Sequence, residues 1–172
     1  LVIISGPSGS GKSTVVKQML SESTLPLVLS TSATTRPPRE GEENGREYMF
    51  LTDQEFQAKR SSGEFLECKE VFGRGYWYGT LRNVVSTGLS EGKWVLLEID
   101  VQGALAVLQG YPQAITIFVQ PGSMEEIEKR LRNRGTEGRD SSQRRRDVAA
   151  GELALRRHST PECITHQPNN TC

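Results

Sequence analysis

The segment that most constrains the fold is a glycine-rich loop placed directly after a short apolar run. The loop spans residues 6–14, Gly-Pro-Ser-Gly-Ser-Gly-Lys-Ser-Thr, and follows Leu-Val-Ile-Ile-Ser. The apolar run predicts a strand that is covered on both faces. Apolar side chains at Val15, Val16, Met19 and Leu20 predict a helix after the loop. A strand, a glycine turn and a helix in this order indicate an α/β fold with a largely parallel sheet.

The loop also matches a phosphate-binding pattern, Gly-x-x-x-x-Gly-Lys-Ser. Glycine lets backbone N–H groups surround phosphate oxygens that a side chain would block. We expect Lys12 to neutralise the β- and γ-phosphates and Ser13 to bind Mg²⁺ through its hydroxyl. The N-terminus of the following helix adds a partial positive charge. The predicted nucleotide-binding residues of the loop are Gly6, Ser8, Gly9, Ser10, Gly11, Lys12, Ser13 and Thr14.

The rest of the chain alternates strand and helix signals. Thr52 and Ser123 are each followed three residues later by glutamate, which predicts two helix starts. The stretch from 32 to 80 is rich in glycine, arginine and aromatic residues, and this composition predicts a separate small lobe with short strands. Buried strands are predicted at 25–31, 94–100 and 114–119, and the short strands of the lobe at 47–51 and 64–72.

Composition excludes several classes of protein. Lysine plus arginine and aspartate plus glutamate both total 21, so the net charge is zero and no global attraction to nucleic acid or an anionic membrane follows. No apolar run reaches the length of a membrane span, and residues 1–20 lack the order of a secretory signal. The three cysteines suit reduced thiols better than a disulfide framework. We therefore expect a soluble, cytoplasmic protein that binds neither nucleic acid nor membranes.

A second set of residues indicates the group that accepts the phosphate. Arg36 and Arg39 flank two prolines, which restrict the backbone and limit the entropy lost when both guanidiniums bind one phosphate. This pattern favours a clamp for a nucleoside monophosphate over a solvated basic loop. Tyr78 and Thr80 offer hydroxyl donors, and Glu67 is placed to accept hydrogen bonds from a purine edge. A plain surface carboxylate is the alternative interpretation of Glu67.

Five segments together resemble guanylate kinase. They read, in order, SGPSGSGKST, STSATTRPPREGEENGREY, GYWYGT, EIDVQG and RLRNRGTE. The resemblance runs from about Leu1 to Leu155 and implies transfer of the γ-phosphoryl group of ATP, with Mg²⁺, to GMP. The implied parts are a core at 1–31 and 81–123, a GMP-binding lobe at 32–80, a lid at about 124–147 and an irregular tail at 156–172.

The resemblance also implies roles for individual residues. The guanine contacts would be Ser32, Glu67 and Asp100, and the GMP-phosphate contacts Arg36, Arg39, Tyr48 and Tyr78, with Thr80 beside them. Glu98 stands where the family usually has aspartate and would reach the metal through water. Arg130 and Arg134 would bind ATP, and the catalytic residues would be Lys12, Arg39, Arg134 and Arg145. Arginines that arrive with a closing lid stabilise the charge of the transition state and exclude water.

The segment after Leu155 departs from the family pattern. In place of a further strand and a closing helix, the chain has RRHSTPECITHQPNNTC, which lacks apolar periodicity and contains two prolines. We interpret it as a truncated, frame-changed or alternative end. Gly151 is also unusual, because glycine costs about 1 kcal/mol in a helix. Two functional classes stay open, an active guanylate kinase and a catalytically impaired protein-binding module. The retained Lys12 favours the enzyme, since a binding module needs no phosphate cradle.

Overall fold

A computed structural model of the chain describes residues 1–7, 9–71, 75–120 and 151, with the backbone alone for Val71. The elements of this part are, in order, β1 (Val2–Ser5), α1 (Lys12–Glu22), β2 (Leu27–Leu29), β3 (Ala33–Thr34), β4 (Met49–Phe50), α2 (Asp53–Ser61), β5 (Phe65–Val71), β6 (Tyr76–Leu81), α3 (Arg82–Ser90), β7 (Trp94–Glu98), α4 (Val101–Gly110) and β8 (Ile115–Phe118). The chain divides into two compact units. The first unit comprises Leu1–Ser23 and Glu98–Cys172, and the second unit comprises Thr24–Leu97.

The first unit is built on a parallel strand pair with helices against it. β1 pairs with β8 from Val2 opposite Ile115 to Ser5 opposite Phe118. All four residues of β1 are buried, and both α1 and α4 contact this strand. The strand, glycine loop and helix predicted at the start of the chain are confirmed.

β8 is less covered than its apolar sequence predicts. Ile115 is 49% exposed, whereas Phe118 at the other end of the strand is buried. The prediction of a buried strand at 114–119 is therefore wrong at its beginning, because an apolar run does not reveal which side chains lie at the rim of a sheet. For the same reason the predicted buried strands at 25–31 and 94–100 are wrong at Leu29 and Trp94, which are exposed. Gly151 is buried against the same region. A Cβ there would lie 2.7 Å from Cε2 of Phe118 and 2.8 Å from Cγ2 of Val101, so close packing requires the glycine.

The second unit contains another parallel pair and a small sheet. β2 pairs with β7 in parallel, and α3 approaches β7 so closely that a Cβ on Gly88 would lie 2.6 Å from Cγ2 of Val95. The small sheet has the order β4-β3-β6-β5. Its β3 and β4 are parallel, while β6 is antiparallel to both β3 and β5. The strand signals at 47–51 and 64–72 correspond to β4 and β5.

An aromatic cluster supports this small sheet. Phe56, on α2, is fully buried and stacks on Phe65 of β5, with ring centroids 4.5 Å apart. Its ring also lies 5.9 Å from that of Trp77 on β6. Fully burying a phenylalanine side chain contributes about 1.5–3 kcal/mol, so this cluster holds α2 against the two strands.

The start of α2 follows from its sequence. The Thr52 hydroxyl accepts a hydrogen bond from the Glu55 N–H at 3.2 Å, and the Glu55 carboxylate accepts one from the Thr52 N–H at 2.8 Å. This reciprocal cap confirms the predicted helix start. The second predicted start, at Ser123, lies outside the described residues. No helix in the described ranges has the length and apolarity needed to cross a membrane.

Candidate active site

The glycine loop in the first unit has a backbone conformation that residues with a side chain would not adopt. Gly6 has φ +146° and Gly11 has φ +98°, a region that other residues rarely adopt. A Cβ on Gly6 would clash with the carbonyl oxygen of Val119. The Lys12 ammonium donates to the carbonyl oxygens of Gly6 at 2.9 Å and Pro7 at 3.0 Å. The loop is thus wrapped around the lysine that the sequence assigns to the phosphates.

The N-terminus of α1 is arranged to receive an anion. Gly11 is the N-cap residue and provides no side-chain cap, and the first turn contains no acidic side chain. Its first N–H groups and the positive end of the helix dipole therefore suit a phosphate. The Ser10 hydroxyl is buried and has no hydrogen-bond partner among the described residues. A phosphate oxygen would satisfy that hydroxyl.

A hydroxyl of α1 and a carboxylate of β7 are hydrogen-bonded next to the loop. The Ser13 hydroxyl donates to Oε1 of Glu98 at 2.6 Å, which joins the first turn of α1 to the end of β7. Both side chains are half-buried. Mg²⁺ prefers oxygen ligands in proteins, so a hydroxyl beside a carboxylate suits this ion, either directly or through water.

The second unit holds a buried arginine over aromatic rings. Arg36 is 7% exposed, and its guanidinium carbon lies 5.5 Å from the ring centroid of Tyr48 and 5.7 Å from that of Phe50. The rings of Tyr48 and Tyr78 meet edge to face at 5.9 Å. The structure thus brings together three of the four residues predicted to bind the GMP phosphate.

Glu42 is the ion partner of this arginine. Nη2 of Arg36 donates to both carboxylate oxygens of Glu42, at 3.0 and 2.9 Å. Burial lowers the pKa of the Arg36 guanidinium, but hydrogen bonds to Glu42 and Tyr78 outweigh it, so the pKa lies above its ordinary value. Burial raises the pKa of Glu42, and the hydrogen bonds from Arg39 and Arg36 bring it below its usual range. Both groups are therefore charged at neutral pH.

The predicted guanine contact Glu67 is hydrogen-bonded to the neighbouring strand of the small sheet. The Thr80 hydroxyl, on β6, donates to Oε1 of Glu67 on β5 at 2.7 Å. Thr80 is buried, whereas Glu67 is half-buried and so accessible to a ligand. Ser32 accepts a backbone hydrogen bond from Met49 at 2.9 Å, and its side chain is half-buried.

Comparison with known proteins decides the family. The family model for guanylate kinase matches residues 1–159. A guanylate kinase from Rhodopirellula baltica is 56% identical over 171 residues, which cover 99% of this chain and 82% of that relative. The chain belongs to the guanylate kinase family. A guanylate kinase from Clostridium acetobutylicum is 46% identical over 89% of this chain and 71% of its own length.

A solved structure of guanylate kinase from Anaplasma phagocytophilum supports the fold. It matches with a TM-score of 0.64 and 28% identity, and the match covers 94% of this chain and 87% of that one. The predicted α/β fold class, the resemblance and the interpretation as a guanylate kinase enzyme are confirmed. Both matches extend past Leu155: the family model ends at residue 159, and the alignment with the R. baltica relative covers 99% of the chain.

The remaining predicted site residues either have other roles in the described structure or lie outside the described residues. Asp100 lies in the first unit, where its Oδ1 accepts the Gly103 N–H at 2.9 Å and caps α4. Its guanine contact stays a prediction. Thr14 and Arg39 are exposed. The predicted contacts outside the described residues are Ser8, Arg130, Arg134 and Arg145.

Sequence reasoning missed two residues of this guanylate kinase site. Glu42 pairs with Arg36, and Phe50 lies beside the same guanidinium. A signal for Glu42 was present, because a buried arginine needs a counterion and the acidic Gly-Glu-Glu stretch begins only five residues after Arg36. The sequence contains no comparable signal for Phe50.

Proposed function

We propose that this chain transfers the γ-phosphoryl group of ATP to GMP, giving ADP and GDP. The observation that carries the proposal is that one chain contains two different arrangements of side chains and backbone that suit phosphate. The loop around Lys12 suits a polyphosphate, and the buried guanidinium of Arg36 suits a monophosphate. A phosphoryl-transfer enzyme needs both, whereas a protein-binding module needs neither.

The ATP side follows from the loop in the first unit. Lys12 supplies a positive charge to the β- and γ-phosphates, and the first N–H groups of α1 bind their oxygens. The buried hydroxyl of Ser10 provides one more donor. Phosphoryl transfer makes few covalent demands on the protein, so positioning and charge stabilisation account for most of the catalysis.

Magnesium fits the oxygens beside this loop. The Ser13 hydroxyl would bind the ion directly, and the Glu98 carboxylate would hold a water of its coordination shell. Across the described residues no group of three or more His, Cys, Asp or Glu side chains could hold a metal. The nucleotide phosphates and waters would supply the other ligands, as is common for Mg²⁺. When bound, the ion neutralises charge that develops on the phosphate oxygens.

The GMP side follows from the small sheet of the second unit. Arg36, Tyr48 and Tyr78 would bind the phosphate. Glu67 would accept from the N1–H and 2-amino groups of guanine, and adenine lacks both donors. Thr80 holds the Glu67 carboxylate at 2.7 Å, so the acceptor is oriented before the base arrives. Ser32 and Asp100 would also contact guanine, and Arg39 would contact the phosphate and take part in catalysis. In the lid, Arg130 and Arg134 would bind ATP, and Arg134 and Arg145 would be catalytic.

The proposal extends to organisation and location. Residues 32–80 would form the GMP-binding lobe, 1–31 and 81–123 the core, and 124–147 the lid. We place the enzyme in the cytoplasm, where ATP and GMP are available. The free thiol of Cys68 supports that placement.

The test is ADP formation from Mg-ATP and GMP, compared between the wild type, Lys12→Ala and the control Lys17→Ala. Lys17 is an exposed lysine on the same helix. We expect Lys12→Ala to lower turnover about 100-fold or more and to change GMP affinity less than about 2-fold. The control should keep the wild-type rate. A wild-type chain that forms no ADP with GMP refutes the function, and full turnover by Lys12→Ala refutes the role of the loop.

A further inference from the structure

One carboxylate contacts both arginines that flank the two prolines. Glu42 accepts from the Arg36 guanidinium with both oxygens, and its Oε2 also accepts the backbone N–H of Arg39 at 2.8 Å. In return, the Glu42 N–H donates to the Arg39 carbonyl oxygen at 3.0 Å. Gly41, with φ +80°, lies at the turn position that favours glycine. The Glu42 side chain thus links the Arg36 guanidinium to the backbone of Arg39.

The hydrogen bonds of Arg36 within the chain leave part of its donor capacity for a ligand. A guanidinium carries five N–H hydrogens in a fixed plane. Nη2 donates to both carboxylate oxygens of Glu42, which uses at most two of these hydrogens, and Nη1 donates one more to the Pro37 carbonyl oxygen at 2.7 Å. At least two hydrogens therefore remain for the Tyr78 hydroxyl and a phosphate. Glu42 and Pro37 therefore orient the guanidinium without using all of its donors.

A carboxylate at this place has an electrostatic cost. Its side chain is only 17% exposed, so water screens little of its repulsion toward a phosphate dianion. That repulsion is offset only if Glu42 holds Arg36 in place so that it binds the phosphate better than a mobile arginine would. Fixing a long side chain before binding removes the entropy cost of ordering it when the ligand arrives.

We infer that Glu42 is a positioning residue for the monophosphate substrate, holding the Arg36 guanidinium and the Arg39 backbone in the arrangement that receives the phosphate. The inference rests on the proposed function and deepens it, because it assigns the orientation of the clamp to a residue that does not itself contact GMP. It predicts that the benefit of Glu42 depends on the phosphate of the ligand and not on the base.

The experiment compares binding of GMP and guanosine by calorimetry to the wild type, Glu42→Ala and Glu42→Gln, with turnover of GMP measured for each. Glu43→Gln is the control, because Glu43 is a neighbouring glutamate, 69% exposed at the side chain, that pairs with Arg46. We expect Glu42→Ala to weaken GMP binding about 10-fold to 100-fold. Guanosine binding and the KM for ATP should change less than about 2-fold, and the control should bind GMP within about 2-fold of wild type.

The outcomes separate this inference from the proposed function and from a loss of folding. If the wild type phosphorylates GMP and the Glu42 variants bind GMP as tightly as wild type, the inference is overturned and the function stands. Equal weakening of GMP and guanosine shows a general structural role and also overturns it. If Glu42→Ala does not fold, Glu42→Gln still tests the inference, because glutamine has the same size as glutamate. Tighter GMP binding by Glu42→Gln would show that the carboxylate only repels phosphate, and would overturn the inference. A wild type that neither binds nor phosphorylates GMP overturns both.

Discussion

A methyl group added to Gly79 should disturb both stability and GMP binding. Gly79 lies on β6, where an added Cβ would be 2.8 Å from Cβ of Cys68, 2.8 Å from Cδ1 of Phe65 and 2.9 Å from the carbonyl oxygen of Glu67. Contacts this short force the backbone or the aromatic core to move. Overpacking of this kind costs about 1–3 kcal/mol. For a chain of this size that corresponds to a fall in Tm of about 2–12 °C.

The same shift reaches the proposed guanine contacts. Gly79 directly precedes Thr80, whose hydroxyl donates to Glu67 across the two strands at 2.7 Å. Separating β5 from β6 stretches that hydrogen bond and misplaces the carboxylate. We expect Gly79→Ala to weaken GMP and guanosine binding alike, about 10-fold. This pattern differs from the one expected for Glu42, where guanosine binding is preserved.

The assay is thermal unfolding by circular dichroism together with calorimetric titration of GMP. Gly110→Ala is the matched control, because Gly110 ends α4 and an added Cβ would meet nothing within 4 Å. That change should leave Tm unchanged or raise it slightly, since alanine is the better helix former by about 1 kcal/mol. A Gly79→Ala variant with wild-type Tm and GMP affinity would refute the packing argument.

Three further predictions concern the metal, the pH dependence and the choice of base. Glu98→Gln weakens the support of the Ser13 hydroxyl, so the Mg²⁺ concentration for half-maximal turnover should rise about 10-fold to 100-fold, as measured by titration at saturating ATP. Despite burial, the hydrogen bonds from Arg39 and Arg36 hold the folded-state pKa of Glu42 below its ordinary value, so its carboxylate stabilises the fold above the unfolded-state pKa, and this contribution is lost as the pH falls through the folded-state pKa. Tm measured from about pH 6 down to about pH 3 should therefore fall less steeply in Glu42→Gln than in wild type. Thr80→Val removes the donor at 2.7 Å from Glu67, and the preference for GMP over AMP in kcat/KM should shrink about 10-fold; an unchanged preference would show that Glu67 needs no support.

Local signals predicted the parts of the fold that local physics determines. The apolar run of β1, the glycines of the loop and the reciprocal cap at Thr52 each act within a few residues of the chain, and the structure contains all three. β3 was missed because it has only two residues, Ala33–Thr34, which is too short for a periodic pattern. Sequence reasoning missed α4 because the strand predicted at 94–100 includes Asp100, the residue that caps this helix.

Those features of the site that follow from the type of side chain could be predicted from the sequence, whereas the features that depend on packing could not. Arginines beside prolines indicated a phosphate clamp without revealing that Arg36 is buried over two aromatic rings. Burial is a property of the folded molecule, and it is burial that makes the counterion Glu42 necessary. In the same way, the cost of glycine at Gly151 is evident from sequence, while its reason, close contact with Phe118, is not.

The most direct test of the central claim is a competition among nucleotides. The chain would be incubated with Mg-ATP and equal concentrations of GMP, AMP, CMP and UMP, and the four nucleoside diphosphates would be separated and quantified over time. The carboxylate of Glu67, held by Thr80, predicts that GDP accumulates at least about 10-fold faster than the diphosphate of any other acceptor. Equal formation of ADP and GDP from their monophosphates, after subtraction of the ADP released by ATP, would contradict the account.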